Sequence, residues 1–222
     1  MTKIVPHERF ENVFWVDNKL ATENLTPGEK VYGERLIRKK DKEYRIWDAY
    51  RSKPAAAIYR GLREFPIRKS IKILYLGIAS GTSSSHMSDI IGKEGIIYGI
   101  EISERTLREL IPIAEKRGNI VPILADARRP EMYSWIEEVD VVYCDCAIPD
   151  MSEVLIRNAK SFLKPFGLAM IAIKARSIDV TKVPKKIYKE ERKKLEKFFH
   201  VIDFVTLEPY DRDHCMFVLK KK

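Results

Sequence analysis

Residues 71–101 read IKILYLGIASGTSSSHMSDIIGKEGIIYGIE. Two apolar runs, IKILYLGI at 71–78 and IIYGIE at 96–101, enclose a loop of small residues that leads into a helix. Nearly unbroken apolar runs are strands buried on both faces, and a helix crossing between two of them makes the strands parallel. NIVPILAD, VDVVYCD and GLAMIAIK repeat the strand texture downstream, with a helix expected in each interval between the five strands. SERTLRELIPIAEKRG shows the helical texture: Ser103 can cap its start and Gly118 can stop it, while Leu107, Leu110, Ile111 and Ala114 share an apolar face. HVIDFVTLEP and HCMFVLKK then form an antiparallel pair at the C-terminal edge of a mostly parallel α/β sheet.

Upstream of this sheet the texture differs. Short alternating segments, ENVFWVD and KVYGERLIR, are broken by the turn signals DNK and TPGE, which predicts a small sheet of hairpins. The expected division is therefore residues 1–46 as a small N-terminal β-hairpin domain and residues 47–222 as the α/β domain.

With 222 residues, 45% of them hydrophobic, the chain can bury a full core and is expected to be soluble and globular. Lys and Arg number 41 against 32 Asp and Glu, a formal net charge of +9. That excess favours an anionic partner such as nucleic acid, although a charged coat on a heat-stable surface gives the same composition. No run is long enough to span a membrane, and MTKIVPHERF lacks the apolar centre of a signal peptide, so a cytoplasmic location is expected. Cys144, Cys146 and Cys215 offer no paired framework, and with His214 they lack a standard zinc spacing. They read as small buried residues of a reducing compartment, and no metal is expected.

In parallel sheets, ligands sit at the carboxyl ends of the strands. Gly77, Ala79, Ser80 and Gly81 lie there, and their small side chains let a ligand approach the backbone. Thr82 and Ser83 open the following helix, where free N–H groups favour a carboxylate or phosphate. The pattern is G-x-x-x-G, which departs from the dinucleotide fingerprint G-x-G-x-x-G. Glu101 ends the second strand, 20 residues after Gly81, where an acid grips ribose hydroxyls in nucleotide-binding sheets. Asp126 ends the third, suited to the edge of an adenine; both acids could instead cap the helices that follow, an alternative nearly as good for Asp126. Asp145 and Lys174 end the fourth and fifth strands.

YLGIASGTSSSHMSDIIG, ILADARRPEMY, KARSIDVTK and LEPYDRDH together resemble the fibrillarin family. The resemblance runs from VYGERLIR onward and is to the archaeal form, since a glycine- and arginine-rich N-terminal tail is missing. It implies the Rossmann-like fold of S-adenosylmethionine-dependent methyltransferases. It also implies transfer of a methyl group from S-adenosyl-L-methionine to ribose 2′-hydroxyls of rRNA and tRNA. The cofactor contacts it implies add Ile102, Ala127, Cys146, Ala147 and Ile148 to the strand-end residues above. Lys53 in YRSKPAAAI, Asp145, Lys174 and His214 match the family's Lys-Asp-Lys-His constellation.

A ribose hydroxyl is a poor nucleophile at neutral pH, so a group must take its proton as it attacks. Lys174 suits that task if a neighbouring cation and partial burial lower its pKa. Asp145 is expected to hold Lys174 in line and contact the cofactor, with Lys53 and His214 orienting the hydroxyl. Pro54 suits a first helical turn, which would start a helix near Ser52 and place Lys53 at its positive end, depressing its pKa. Ile148 stands where relatives usually carry Gln and has no amide to offer.

Arg176 and Lys182 follow Lys174 and are candidate phosphate contacts, whereas KVPKKIYKEERKKLEKF reads better as a solvated basic helix. By resemblance, specificity comes from base pairing of a box C/D guide RNA with the target RNA. The implied assembly adds a Nop-family scaffold protein and a kink-turn-binding, ribosomal-protein-like subunit. Phe14 and Trp15 are candidates for scaffold docking, although core packing would use them as well. Two rivals remain: a nicotinamide-dependent dehydrogenase, disfavoured by the glycine spacing, and a non-catalytic RNA-binding or scaffold subunit that has kept only the fold. Retention of Lys53, Asp145, Lys174 and His214 argues against the second.

Overall fold

The computed structural model describes residues 2–222. The N-terminal segment forms a five-stranded antiparallel sheet from β1 (Ile4–Pro6), β2 (Val13–Val16), β3 (Lys19–Glu23), β4 (Leu36–Lys39) and β5 (Lys42–Ile46), in the order β1-β2-β3-β5-β4. Asp17 and Asn18 join β2 to β3 with φ of 47° and 67°, the two positive values that let a tight hairpin follow the strands' twist.

A helix α1 (Lys53–Tyr59) leads to the second sheet, built from β6 (Lys72–Leu76), β7 (Ile96–Glu101), β8 (Ile120–Leu124), β9 (Val139–Cys144), β10 (Leu163–Lys174), β11 (Phe199–Thr206) and β12 (His214–Lys221). Its order is β11-β12-β10-β9-β6-β7-β8. Strands β6 to β10 are parallel, and β12 pairs antiparallel with both β10 and β11. The connecting helices are α2 (Thr82–Ile91), α3 (Glu104–Arg117), α4 (Met151–Phe162), the short α5 (Ala175–Ile178) and α6 (Pro184–Leu195). Alternate residues feed opposite faces: Ile73 and Tyr75 join one apolar cluster, Leu74 and Leu76 the other. The first cluster also takes in Phe10, Val13 and Leu20, so the N-terminal sheet packs onto the core that α1 to α3 cover.

Two local expectations fail. Between β8 and β9 there is only a 3-10 turn, Pro130–Tyr133, in place of a helix. Pro130 suits a first turn, but ARRPEMYSW has no apolar repeat long enough to anchor a helix on the sheet. On α3, Ser103 accepts the Thr106 N–H and Gly118 takes the left-handed conformation that ends the helix, as expected, but Ile111 is 40% exposed. It lies about 100° around the helix from Leu110, outside the buried stripe of Leu107, Leu110, Ala114 and Arg117, while Ile113 packs on the core instead.

Cys144 and Cys215 sit in the second apolar cluster as small buried groups. No helix among the described residues is long and apolar enough to cross a membrane.

Candidate active site

The strand order reverses between β6 and β9, so their C-terminal ends open a crevice. Gly77 follows β6 and Asp145 follows β9, and the Asp145 N–H donates to the Leu76 carbonyl across the gap at 2.9 Å. Gly77 has φ of +77°, and a Cβ there would stand 3.0 Å from the Asp145 carbonyl oxygen, so the close approach requires glycine. Gly81 caps α2 with φ of +103°, and a Cβ on it would meet Leu110 at 3.0 Å; this glycine lets α3 pack against the loop.

A pocket of about 310 Å³ opens along these strand ends. Gly77 and Ala79 line it after β6, Glu101 and Ile102 after β7, Asp126 and Ala127 after β8, and residues 145–148 after β9. Ser80, Gly81, Thr82 and Ser83 add nothing to that lining; the Ser83 hydroxyl is buried and bonds Ser52 Oγ at 2.9 Å. Glu101 joins two loops, accepting the Ala79 N–H at 3.0 Å and the Ser103 N–H at 2.9 Å. Asp126 accepts the Arg128 N–H at 2.9 Å and caps the turn that follows. Arg128, which no motif singled out, also lines the pocket and is held by Asp150 through contacts of 2.7 and 2.9 Å. Its position two residues beyond Asp126 was the available signal. The donors fit a nucleoside cofactor: Glu101 presents a carboxylate to vicinal hydroxyls, and small residues leave the backbone open beside it.

Next to this pocket, Lys53 Nζ lies 2.8 Å from Asp145 Oδ1. Helix α1 starts where Pro54 predicted, with Ser52 as its N-cap. Burial works to lower the Lys53 pKa, but the ion pair and hydrogen bond with Asp145, helped by Asp211, hold it above the ordinary value. The expected depression does not occur, because a carboxylate at 2.8 Å outweighs the end of a seven-residue helix. Burial pushes the Asp145 carboxyl up; Lys53, and after it His214, pull it down, and it stays above the usual carboxylate range. The Tyr143 hydroxyl also donates to Asp145, at 3.4 Å.

Lys53 thus holds the place beside Asp145 that was expected of Lys174. The register explains this. Ile171 pairs with Cys144, so Ala172 stands level with Asp145 and Lys174 is two residues, about 7 Å, farther along the strand direction. Lys174 is exposed, directly opposite His214 across the β10–β12 pair, and makes no ion pair among the described residues. His214 is buried, its Nδ1 2.9 Å from Asp211 Oδ1 and 2.7 Å from the Arg212 carbonyl oxygen.

The remaining candidates divide. Arg176 pairs with Asp213 at 3.1 Å and Lys182 with Glu190 at 2.9 Å, so both expected phosphate contacts have their charge partly engaged. Phe14 packs edge-on against Tyr44, and Trp15 packs against Tyr59 and His7. On α6, Ile187, Tyr188 and Leu195 face inward and leave the basic residues outside.

The fibrillarin family matches residues 4–222. The chain belongs to the fibrillarin family. It is 52% identical to the fibrillarin-like rRNA/tRNA 2'-O-methyltransferase of Pyrococcus furiosus, with all of both chains covered. Aeropyrum pernix fibrillarin, solved with natively bound S-adenosyl-L-methionine, superposes with a TM-score of 0.91 at 48% identity, covering 99% of this chain and 100% of that one. The fibrillarin of a fibrillarin/Nop5p complex aligns with a TM-score of 0.90 at 39% identity, covering 97% and 100%. In this fibrillarin-family chain, the crevice at the strand reversal is the candidate cofactor site.

Proposed function

We propose that this chain is an S-adenosyl-L-methionine-dependent ribose 2′-O-methyltransferase acting on rRNA and tRNA, the catalytic subunit of a box C/D ribonucleoprotein. The observation that carries the reading is the Lys53–Asp145 pair at the rim of a pocket lined by Gly77, Glu101 and Asp126. A relative that aligns with this chain over the whole of both sequences, half identical, is named for this activity. When bound, the cofactor supplies an electrophilic methyl group.

The chain's own residues would act as follows. Glu101 holds vicinal hydroxyls, Asp126 with the adjacent N–H of Ala127 faces a purine edge, and residues 145–148 form the far wall. Asp145, fixed by Lys53 and Tyr143, presents a carboxylate where pocket and substrate face meet. Lys174 projects from the β10 end, exposed and without a competing carboxylate partner, and in its neutral amine form takes the ribose hydroxyl proton. His214, anchored by Asp211 and Arg212, supports the substrate side. Ile148 contributes an apolar wall in place of an amide.

Target choice by a guide RNA, docking on a Nop-family scaffold, a kink-turn-binding subunit and a cytoplasmic location belong to the same reading. The fibrillarin/Nop5p relative supports the scaffold. The division into residues 1–46 and 47–222 is likewise proposed, supported by the two sheets, whose strands lie within 4–46 and 72–221. The deciding experiment is single-turnover methylation of a target RNA by the chain with guide RNA, scaffold and kink-turn subunit. Transfer to the paired ribose is expected, and its absence with intact cofactor binding overturns the reading.

A further inference from the structure

Four aromatic rings form a row where the N-terminal sheet meets the loop after β11. The ring centroids of Tyr50 and Tyr210 are 5.2 Å apart, those of Tyr210 and Tyr59 5.5 Å, and those of Tyr59 and Trp15 5.5 Å. Tyr59 is a wall shared by two cavities: one of about 520 Å³ that also takes in Tyr32, Tyr50 and Tyr210, and one of about 400 Å³ that takes in Val5 and Trp15. Asp17 and Asn18 line the second cavity and Lys19, next in the chain, lines the first, so the two lie end to end along one groove. The row is held in place from within, since the Tyr59 hydroxyl accepts the Leu20 N–H at 2.7 Å. At its end Tyr50 is 69% exposed.

Charge is distributed unevenly along this groove. At the Tyr50 end, Lys19, Arg35 and Arg51 are exposed and form no ion pair among the described residues; Arg51 reaches only the Tyr32 carbonyl, at 3.4 Å. The acids there are engaged: Glu34 is buried against Arg45 at 2.6 Å, and Asp48 accepts the Tyr50 N–H at 2.9 Å. At the Trp15 end, Glu8 accepts the Trp15 Nε1–H at 3.4 Å and Asp17 accepts the Lys3 N–H at 2.7 Å. The groove is therefore aromatic along its length and basic at one end.

Aromatic-lined grooves bind proline-bearing segments in the polyproline II conformation, which is rigid before binding and turns once in roughly 9 Å. The ring spacings put alternate rings at most about 11 Å apart, the scale of one such turn. Unpaired cations at one end call for carboxylates. We infer that this groove docks an extended, proline-bearing segment of a partner protein, with acidic residues at its Tyr50 end and prolines running towards Trp15. Double-stranded RNA fits less well, because it offers phosphates to the three cations and nothing to the row of rings. An apolar helix would leave the cations unanswered.

The test presents the full chain to a display library of dodecapeptides with proline fixed at every third position and the other positions random. Enrichment of peptides with Asp and Glu to one side of the prolines is expected; no enrichment, or enrichment of peptides without acids, overturns the inference. The most enriched peptide is then titrated by fluorescence anisotropy. Tyr50→Ala should weaken it about tenfold, the scale of one lost aromatic anchor, whereas Tyr50→Phe keeps the ring and should bind as the wild type does. Lys19→Glu combined with Arg35→Glu should also weaken it, and replacing the peptide's acids with lysines should restore affinity for that variant while lowering it for the wild type. Equal affinity for wild type and Tyr50→Ala overturns the inference, as does indifference to the exchange of acids for lysines. A short RNA duplex is titrated in parallel. If it displaces the peptide, binds more tightly, and loses that binding in the Lys19→Glu, Arg35→Glu variant but not in Tyr50→Ala, the cations serve nucleic acid and the inference falls. Methyl transfer is read in none of these measurements, so their outcome is independent of the proposed activity.

Discussion

Lys53 and Asp145, 92 positions apart in the chain, meet at 2.8 Å and tie the first turn of α1 to the end of β9. The Lys53 and Asp145 side chains are only 26% and 15% exposed, so their attraction is weakly screened and the contact fixes where the carboxylate points. Lys53 is the chief influence holding the Asp145 pKa down against burial.

Replacing Lys53 with Met removes that influence, and the Asp145 pKa, already above the carboxylate range, should rise further. In the proposed mechanism the Asp145 carboxylate is the working form, so the acid limb of the single-turnover pH profile should move to higher pH. Rate at the plateau should fall as well, because the carboxylate loses its anchor. An acid limb that stays where the wild type has it would show that Asp145 does not control the profile.

Lys174→Ala should abolish most transfer, by about a hundredfold or more, the usual contribution of a general base. Cofactor affinity should stay within about twofold, because Lys174 is outside the lining of the cofactor pocket. Calorimetry and single-turnover rates on one preparation separate the two effects. A rate near that of the wild type would transfer the proton-accepting role to another group.

The strands of the parallel sheet were legible because their apolar runs have no other stable use. The loop at Gly77 and the acids at strand ends were legible from their places in the sheet, whereas the Lys-Asp-Lys-His set was proposed by resemblance, and of it the structure joins Lys53 to Asp145. What escaped was pairing. Whether Asp145 meets Lys53 or Lys174 depends on the two-residue offset between β9 and β10 and on where α1 is set down, and neither has a local sequence signal. The burial of α2 escaped for a similar reason. SSSHMSD looks water-facing, yet Ser84, Ser85, His86, Ser88 and Asp89 are buried: Thr22 and Arg45 of the N-terminal sheet bond Ser85, His86 and Asp89, and Arg117 and Asn119 at the end of α3 bond Ser88.

Glu101→Gln tests the cofactor loop. The carboxylate now accepts N–H groups from both Ala79 and Ser103, and an amide would place a donor against one of them. Losing one charge-assisted bond and the anionic grip on hydroxyls should raise the cofactor dissociation constant about tenfold or more. The melting temperature of the free chain should fall by only a few degrees. Calorimetry and thermal denaturation check the two parts, and unchanged affinity would remove Glu101 from the binding set.

Beneath α2, Arg45 from β5 pairs with Glu34 at 2.6 Å and with Asp89 at 2.9 Å, and Arg117 from α3 also pairs with Asp89. All of these side chains are at most 1% exposed, so the cluster locks the N-terminal sheet to α2 and α3 with no help from water. Arg45→Met leaves Glu34 and one side of Asp89 buried without their cation, and should cost about 3–5 kcal/mol of stability. The pH dependence follows from Glu34. Burial pushes its pKa up, but Arg45 and then backbone N–H groups pull harder, leaving it below the ordinary 4.5. A carboxyl depressed on folding stabilises fully above its unfolded pKa, and that contribution is lost as pH falls through the folded value. The wild type should therefore lose stability below about pH 4.5. In Arg45→Met the Glu34 pKa should rise above its unfolded value, so acid should relieve part of the strain and flatten the decline. Denaturant unfolding at pH 7 and at pH 4 measures both effects, and equal losses of stability in the two proteins on acidification would show that Arg45 does not hold Glu34 ionised.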